Sequence, residues 1–196
     1  TRRVAPQGHE SPAMIRFALG LSLLGPVLAF AGTPLPCDLG APGTPRVVEV
    51  LRTDAIANSH VYHLREGKAS VRPMFDGEAE DSRGSEVRIR CAGRTRRALV
   101  VMGDFMSAGY PRGMVMVHDA AGQRFQRFDF AERHAPRWLY LGKTETLLVF
   151  PPGGRLETAH RYLIQRFVDG DKPGGLEAID SVRPNAKGYE VIELGR

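Results

Sequence analysis

Short stretches in which apolar and polar residues alternate are the main pattern along the chain. Residues 87–91 (VRIRC) place two arginines opposite three apolar side chains, which is the pattern of a strand with one buried face. Residues 98–102 (ALVVM) are apolar on both faces and predict a central strand. Further strands are predicted at residues 46–51, 60–64, 114–118, 124–128, 138–141, 146–150, 162–168 and 189–194.

Turn-forming and polar segments separate these predicted strands. Residues 119–122 (DAAG) predict a tight hairpin, and residues 169–175 (DGDKPGG) predict a turn. The polar residues 66–85 predict a long loop. Before the strand at 162–168 the apolar residues recur at helical spacing, so we expect one short helix near residues 155–161.

The number and spacing of the strands indicate the fold class. Nine or ten short strands joined by turns are typical of an all-β sandwich or barrel. The content of 22 Gly and 14 Pro also favours turns over long helices. A β-propeller would need a repeat of about 40–45 residues, and the sequence has no such period. We therefore predict a single all-β domain, mainly antiparallel, forming a sandwich or barrel-like sheet over residues 32–196.

Residues 14–31 have the features of a secretory signal peptide. Arg16 precedes an apolar run of 14 residues, and the run ends in Ala-Phe-Ala, which puts small residues where signal peptidase requires them. The run is shorter than the roughly 20 residues that a helix needs to span a bilayer. We expect cleavage before Gly32, residues 1–13 to be an upstream or disordered segment, and no membrane span in the mature chain.

Charge and composition indicate the cellular compartment and restrict the classes of binding partner. The net charge of +5 falls to +3 once the leader is removed, which is too low for a nucleic-acid-binding surface. The chain has 23 Arg and only 4 Lys, a bias typical of GC-rich genomes. Together with the leader, this bias predicts a protein of a Gram-negative periplasm, or one secreted from such a cell.

Cys37 and Cys91 are the two cysteines of the chain, and both follow the predicted leader. Because cysteines in an oxidising compartment usually pair, we predict a structural disulfide between them. The bridge would tie the Pro-rich residues 33–45 to the strand that ends at Cys91. A redox role is not expected, since the sequence has no C-x-x-C motif.

Catalytic chemistry is only weakly indicated. The sequence lacks the HExxH and Gly-x-Ser-x-Gly motifs, and His60 and His63 would face opposite sides of a strand, where they could not share a metal ion. Acid–base or nucleophilic residues could be combined only from scattered positions. The candidates are Asp104, Ser107, His118 and Asp119. We assign no catalytic residue, metal or cofactor, and keep a periplasmic hydrolase as an alternative.

Two segments are candidates for binding. Arg88 and Arg90 share one face of their strand, close to three further arginines, and fixed cations accelerate encounters with anionic partners. The glycine-rich residues 105–114 carry aromatic and Met side chains beside an arginine, a combination typical of contact hot spots. The predicted contact residues are Phe105, Met106, Tyr110, Arg112, Arg88 and Arg90. The competing interpretations are a solvated face for the arginines and core closure for the loop.

These observations favour an exported, non-catalytic β-domain that binds another envelope component. The expected partner is an envelope protein or another acidic surface, as for an inhibitor or immunity-type module. Nucleic acid is not expected, because aromatic residues are not interleaved with the arginines. Besides the hydrolase, a small-ligand barrel is a further alternative, and it would require a sizeable apolar cavity.

Overall fold

The structure is a computed structural model that describes residues 1, 33–53, 55–106, 109–119, 121, 123–153, 158–180 and 186–195. The predicted leader at 14–31, and all of the upstream segment except residue 1, lie outside the described residues. Within those residues no helix has both the length and the apolar character needed to cross a bilayer.

Thirteen β-strands and one short 3₁₀ turn account for the regular structure of the described chain. The strands are β1 (Leu35–Asp38), β2 (Val47–Arg52), β3 (His60–Glu66), β4 (Arg72–Pro73), β5 (Arg83–Ala92), β6 (Ala98–Phe105), β7 (Arg112–Asp119), β8 (Arg124–Ala131), β9 (Trp138–Leu141), β10 (Glu145–Phe150), β11 (Tyr162–Val168), β12 (Lys172–Ile179) and β13 (Glu190–Glu193). The 3₁₀ turn, Ala79–Ser82, precedes β5.

The strands form two antiparallel sheets. The first sheet has the order β1-β2-β3-β5-β6-β7-β8, with β4 paired to β3, and the second has the order β12-β11-β10-β9-β13. Every strand pairing is antiparallel. The prediction of an all-β, mainly antiparallel, sandwich-like fold is therefore confirmed.

Two hydrophobic cores lie on the two faces of β6 and β7. The first core fills the space between the sheets, where Phe128 meets Phe167 and Phe130 meets Phe150 in edge-to-face contacts. The second core lies on the other face, where β1 to β3 fold over β6 and β7. This double burial explains why the sequence of β6 is apolar at consecutive positions.

Some predicted connections contain regular structure. The predicted loop at 66–85 includes β4, the 3₁₀ turn and the start of β5, and β12 begins at Lys172 inside the predicted turn at 169–175. Proline is tolerated in β12 because this strand is at the edge of its sheet, where a missing N–H costs no ladder bond. Of the predicted short helix, residues 158–161 are not helical, and residues 155–157 lie outside the described chain.

A β-bulge redirects β5 and leaves one of its edges open. The register with β6 shifts between Ser85 and Arg88, and Glu86 has a positive φ of 51°. The neighbouring strand β3 pairs with β5 only at Arg83 and Gly84. Beyond the bulge, β5 therefore pairs with β6 alone among the described strands, and its other edge has no described strand partner.

Candidate functional site

Four arginines converge on one cavity at the open side of β5, which we call the cationic groove. Arg88 and Arg90 come from β5, and Arg133 and Arg137 come from the connection between β8 and β9. The cavity has a volume of about 370 Å³. The other described lining residues are Val100, Met102, His134, Ala135, Pro136, Pro151 and Gly195. No aspartate or glutamate is among the lining residues that the structure describes.

The alternation of β5 places its two arginines in the groove. Val87 and Ile89 pack against the second core, so Arg88 and Arg90 project from the opposite face and are exposed. Their cross-strand partners on β6 are Met102 and Val100, which belong to the first core or pack against it. The groove therefore has an apolar floor with guanidinium groups along its rim.

The backbone of the β8–β9 connection is fixed next to this floor. The N–H of Arg137 donates to the carbonyl oxygen of Val149 at 2.8 Å, and the carbonyl oxygen of Arg137 accepts from the N–H of Leu194 at 2.8 Å. Pro136, beside it, is buried. Since its backbone is bonded to two neighbouring segments, Arg137 presents its exposed guanidinium from a defined position.

The charges of the groove are not balanced within the described chain. Arg65, Arg83 and Arg166 each contact a glutamate at 2.5–2.7 Å, whereas no such contact is found for the four groove arginines within the described residues. Four cations around one cavity repel one another, which lowers stability unless an anion is present. An arrangement of this kind suits a ligand that brings its own negative charge, because guanidinium groups bind carboxylates and phosphates with paired hydrogen bonds.

The other predicted contact residues lie elsewhere. Phe105 is 2% exposed and belongs to the second core, while Met106 and Tyr110 are 73% and 44% exposed. The Arg112 guanidinium carbon is 3.9 Å from the centre of the Phe75 ring, on the second-core face of the sheet. Arg112 therefore lies on the opposite face from Arg88 and Arg90, and the six predicted residues do not form one patch.

The three further arginines near Arg90 also have different surroundings. Arg96 donates to Glu190 at 2.7 Å and to the carbonyl oxygen of His118 at 2.9 Å, so its charge is already paired. Arg97 is exposed and its charge lowers the pKa of Asp38, for which backbone N–H donors are the larger cause. Arg94 is exposed. None of these three lines the cationic groove.

The residues considered for catalysis do not come together. In the β6–β7 ladder Gly103 is opposite Arg112, so Asp104 lies at one end of the ladder and His118 lies near the other. His118 is six residue steps along β7 from Arg112, which is about 20 Å at roughly 3.3 Å per residue. Asp104 and His118 therefore cannot share an active site. Ser107 lies outside the described residues.

The histidines have other surroundings. His118 is 7% exposed and its ring contacts Phe125 edge to face, with burial, followed by the Arg46 charge, lowering its pKa. His60 projects from the same face of β3 as Tyr62, and its Nδ1 is 2.8 Å from the carbonyl oxygen of Thr53. His63 projects from the opposite face of β3 and is buried. In the part of the chain that the structure describes, no three His, Cys, Asp or Glu residues are grouped as metal ligands would be.

Sequence reasoning did not find Arg133, His134 and Arg137 as site residues. The signal was the basic segment at 133–137 (RHAPR), which directly precedes a predicted strand. The density of basic residues in the sequence favoured residues 88–97 instead. Only the packing of the two sheets against each other brings the β8–β9 connection beside β5. No protein-family model, curated protein or solved structure matches the chain, so the geometry of the site is the basis for assigning a function.

Proposed function

We propose that the protein is an exported, non-catalytic binding domain that captures an acidic surface of another envelope protein through the cationic groove. The observation that carries the proposal is the convergence of four arginines on one cavity without a described carboxylate. The six arginines that form ion pairs in the described chain have carboxylate partners of their own. The groove is therefore where unpaired positive charge is concentrated around a concave surface.

The proposed compartment rests on the leader-like sequence and on the cysteines. Cys37 and Cys91 are joined as a disulfide, with Cα atoms 5.5 Å apart, and structural disulfides persist in the periplasm or outside the cell. The leader at 14–31 supplies the route of export. A periplasmic or secreted location is the proposal that accounts for both features.

An acidic protein suits the groove better than a nucleic acid. No Phe, Tyr or Trp lines it among the described residues, so stacking of bases has no platform. The floor formed by Val100 and Met102 favours an apolar contact beside the charges, as is usual in protein interfaces. Arg, unlike Lys, also provides a planar fork for carboxylates.

Binding of a fluorescein-labelled octaglutamate peptide to the full chain, followed by anisotropy at low salt, tests the proposal. We expect Arg133→Gln with Arg137→Gln to weaken binding at least about tenfold, because two charge-assisted contacts are lost. The matched control is Arg124→Gln with Arg161→Gln, which removes the same charge from exposed positions outside the groove and should change binding less than about twofold.

Three outcomes contradict the proposal. The first is that octaglutamate does not bind at low salt. The second is that the two double variants weaken the binding of octaglutamate equally, which would show attraction to net charge alone. The third is that a labelled octathymidine binds more tightly than octaglutamate and loses affinity in the same groove variant. That result would make the groove a nucleic-acid site.

A further inference from the structure

A second groove adjoins the cationic groove along the edge of the second sheet, and we call it the edge groove. It has a volume of about 860 Å³, with residues 90–96 on one wall and residues 190–195 on the other. The ion pair between Arg96 and Glu190 lies at one end. At the other end the Arg90 guanidinium packs against Gly195, and these two residues also line the cationic groove. The two grooves are therefore adjacent and meet at the contact between Arg90 and Gly195.

The wall at 190–195 contains the unpaired edge of β13. Among the described strands β13 pairs only with β9, with Glu190 opposite Leu141 and Glu193 opposite Trp138. Leu194 continues this register by donating its N–H to the carbonyl oxygen of Arg137. In an antiparallel ladder the hydrogen-bonded positions alternate, so Ile192 and Glu190 also direct their backbone groups toward β9.

The intervening residues of β13 direct their backbone groups into the edge groove. By the same alternation, the N–H and C=O groups of Val191 and Glu193 point away from β9. Both residues line the cavity, and no described segment pairs with them on that side. A groove beside such an edge is a template on which an extended chain forms main-chain hydrogen bonds.

No described strand of the opposite wall pairs with β13. Beyond the bulge, β5 pairs with β6 alone in the described part of the sheets, and its last residues, Arg90 to Ala92, line the edge groove. The four residues of β13 extend about 13 Å at roughly 3.3 Å per residue, which is enough for a short added strand. At its Arg90 end, the edge groove adjoins the positive charge of the cationic groove.

We propose that the edge groove binds an extended segment of the partner protein by strand addition to β13, with acidic residues of that segment reaching the cationic groove. This inference rests on the proposed function and specifies the kind of partner segment. Backbone bonds to Val191 and Glu193 supply affinity that does not depend on sequence. The arginines supply selectivity for a segment that carries carboxylates at one end.

A matched pair of substitutions at one position tests strand addition. Glu193→Pro removes the outward N–H while leaving the bonds to β9, since proline is tolerated where a strand N–H faces solvent. Glu193→Ala removes the same exposed side chain and keeps the N–H. The probe is a fluorescein-labelled peptide of sequence Glu-Glu-Asp-Thr-Val-Thr-Val-Thr, titrated into the full chain and followed by anisotropy. Circular dichroism verifies that both variants keep the β fold.

We expect Glu193→Pro to weaken binding of this peptide at least about fivefold, because one main-chain hydrogen bond and the fit of the added strand are lost. Glu193→Ala should bind as tightly as the wild type or more tightly, because it removes a negative charge near an acidic peptide. Octaglutamate is the second probe. Octaglutamate should bind Glu193→Pro and Glu193→Ala with affinities within about twofold of each other if the arginines alone hold it, because the two variants carry the same charge.

The outcomes separate the two proposals. If Glu193→Pro and Glu193→Ala bind the peptide equally well, strand addition is wrong, while loss of octaglutamate binding in the Arg133→Gln, Arg137→Gln variant still supports the cationic groove. If neither probe binds the wild type, both proposals fail. Light scattering adds another decisive outcome. A dimer of the wild type that Glu193→Pro converts to a monomer would assign the β13 edge to a second copy of the chain instead.

Discussion

A half-buried polar network on the outer face of the second sheet shows how single side chains stabilise the fold. Tyr189 donates its hydroxyl to Glu145, and Arg166 bonds to Glu145 at 2.7 Å and to Glu177 at 2.5 Å. Next to this network lies a small apolar cluster that includes Tyr140. The hydrogen bond from Tyr189, followed by that from Arg166, holds the pKa of Glu145 below its ordinary value of 4.5.

This network should make stability sensitive to acid. Because the pKa of Glu145 is lower in the folded than in the unfolded chain, its contribution is complete above pH 4.5 and is lost as the pH falls through the folded-state pKa. We expect Tyr189→Phe to cost roughly 1 kcal/mol near neutral pH and to reduce the loss of stability between about pH 6 and about pH 3.5. Urea unfolding at the two pH values measures both effects.

Tyr110→Phe is the control for this experiment. Tyr110 is 44% exposed, so losing its hydroxyl should leave stability within about 0.5 kcal/mol of the wild type. Full acid sensitivity in Tyr189→Phe would show that Glu145 does not depend on the tyrosine hydrogen bond.

At the level of residues, the sequence correctly predicted which face of a strand a side chain occupies, because this follows from the alternation of side chains along the strand. The placement of Arg88 and Arg90 on the face opposite Val87 follows from a period of two and is found in the structure. Phe105 was predicted as a contact residue from composition alone, yet it continues β6 and is buried in the second core. Phe105 is buried because β1 to β3 fold over that face of the sheet. This contact joins segments that are far apart in the sequence, so the residues around Phe105 do not indicate it.

At the level of elements, the disulfide holds β1 against β5. Cys37 lies in the outermost strand of the first sheet, and Cys91 lies on β5 with its side chain toward the same core. The two strands are not neighbours in the sheet order, so the bond joins the folded-over end of the sheet to its centre. The pairing predicted from cysteine number and compartment is the one observed.

Removing this bond should destabilise the protein substantially. The two cysteines are 54 residues apart in sequence. Closing a loop of that length restricts the unfolded chain by about 4 kcal/mol in the chain-entropy model. We expect Cys37→Ser with Cys91→Ser to lower the free energy of unfolding by about 2–4 kcal/mol. Urea unfolding measures this, and the wild type with a reductant should match the variant.

Two results would argue against this account of the disulfide. One is a double variant as stable as the oxidised wild type, which would mean that the β1 segment packs equally well without the bond. The other is that the reductant further destabilises the double variant. Since that variant has no disulfide, the reductant would then be acting on something other than the Cys37–Cys91 bond. The single variant Cys37→Ser should behave like the double variant once its remaining thiol is blocked.

Strand prediction succeeded where turns are compact and missed two edge strands that contain proline. The hairpin around residues 119–122 was predicted from its turn residues, and β7 and β8 lie on either side of it. Both β1 and β12 contain proline, and neither was predicted as a strand. Residues 33–45 were described only as Pro-rich, and residues 169–175 were predicted to be a turn. Edge strands need hydrogen bonds on only one side, so breaker residues are weaker evidence against them than against central strands.

At the level of the whole molecule, the cationic groove is a local excess of positive charge in a chain of net charge +5. We expect Arg133→Gln with Arg137→Gln to leave the melting temperature unchanged or to raise it at low salt, because repulsion among the four arginines is reduced. Added NaCl should diminish this difference by screening. Thermal melts at low and high NaCl provide the measurement.

Arg127→Gln is the contrasting variant. Arg127 pairs with Asp129 at 2.7 Å, donates to the carbonyl oxygen of Met74 and lies over the ring of Phe75, so its loss should lower the melting temperature. A groove variant that is destabilised as much as Arg127→Gln would mean that Arg133 and Arg137 serve the fold. Their proposed role in binding would then lose its electrostatic basis.

The double burial of β6 and β7 has a consequence for how the protein can fold and change. Both cores include side chains of these two strands, so each core is incomplete without them. We therefore expect the two cores to unfold together in one cooperative transition. A change in the volume of a β6 side chain should alter the packing of one core directly, and because the same strand also borders the other core, its backbone is not free to shift in compensation.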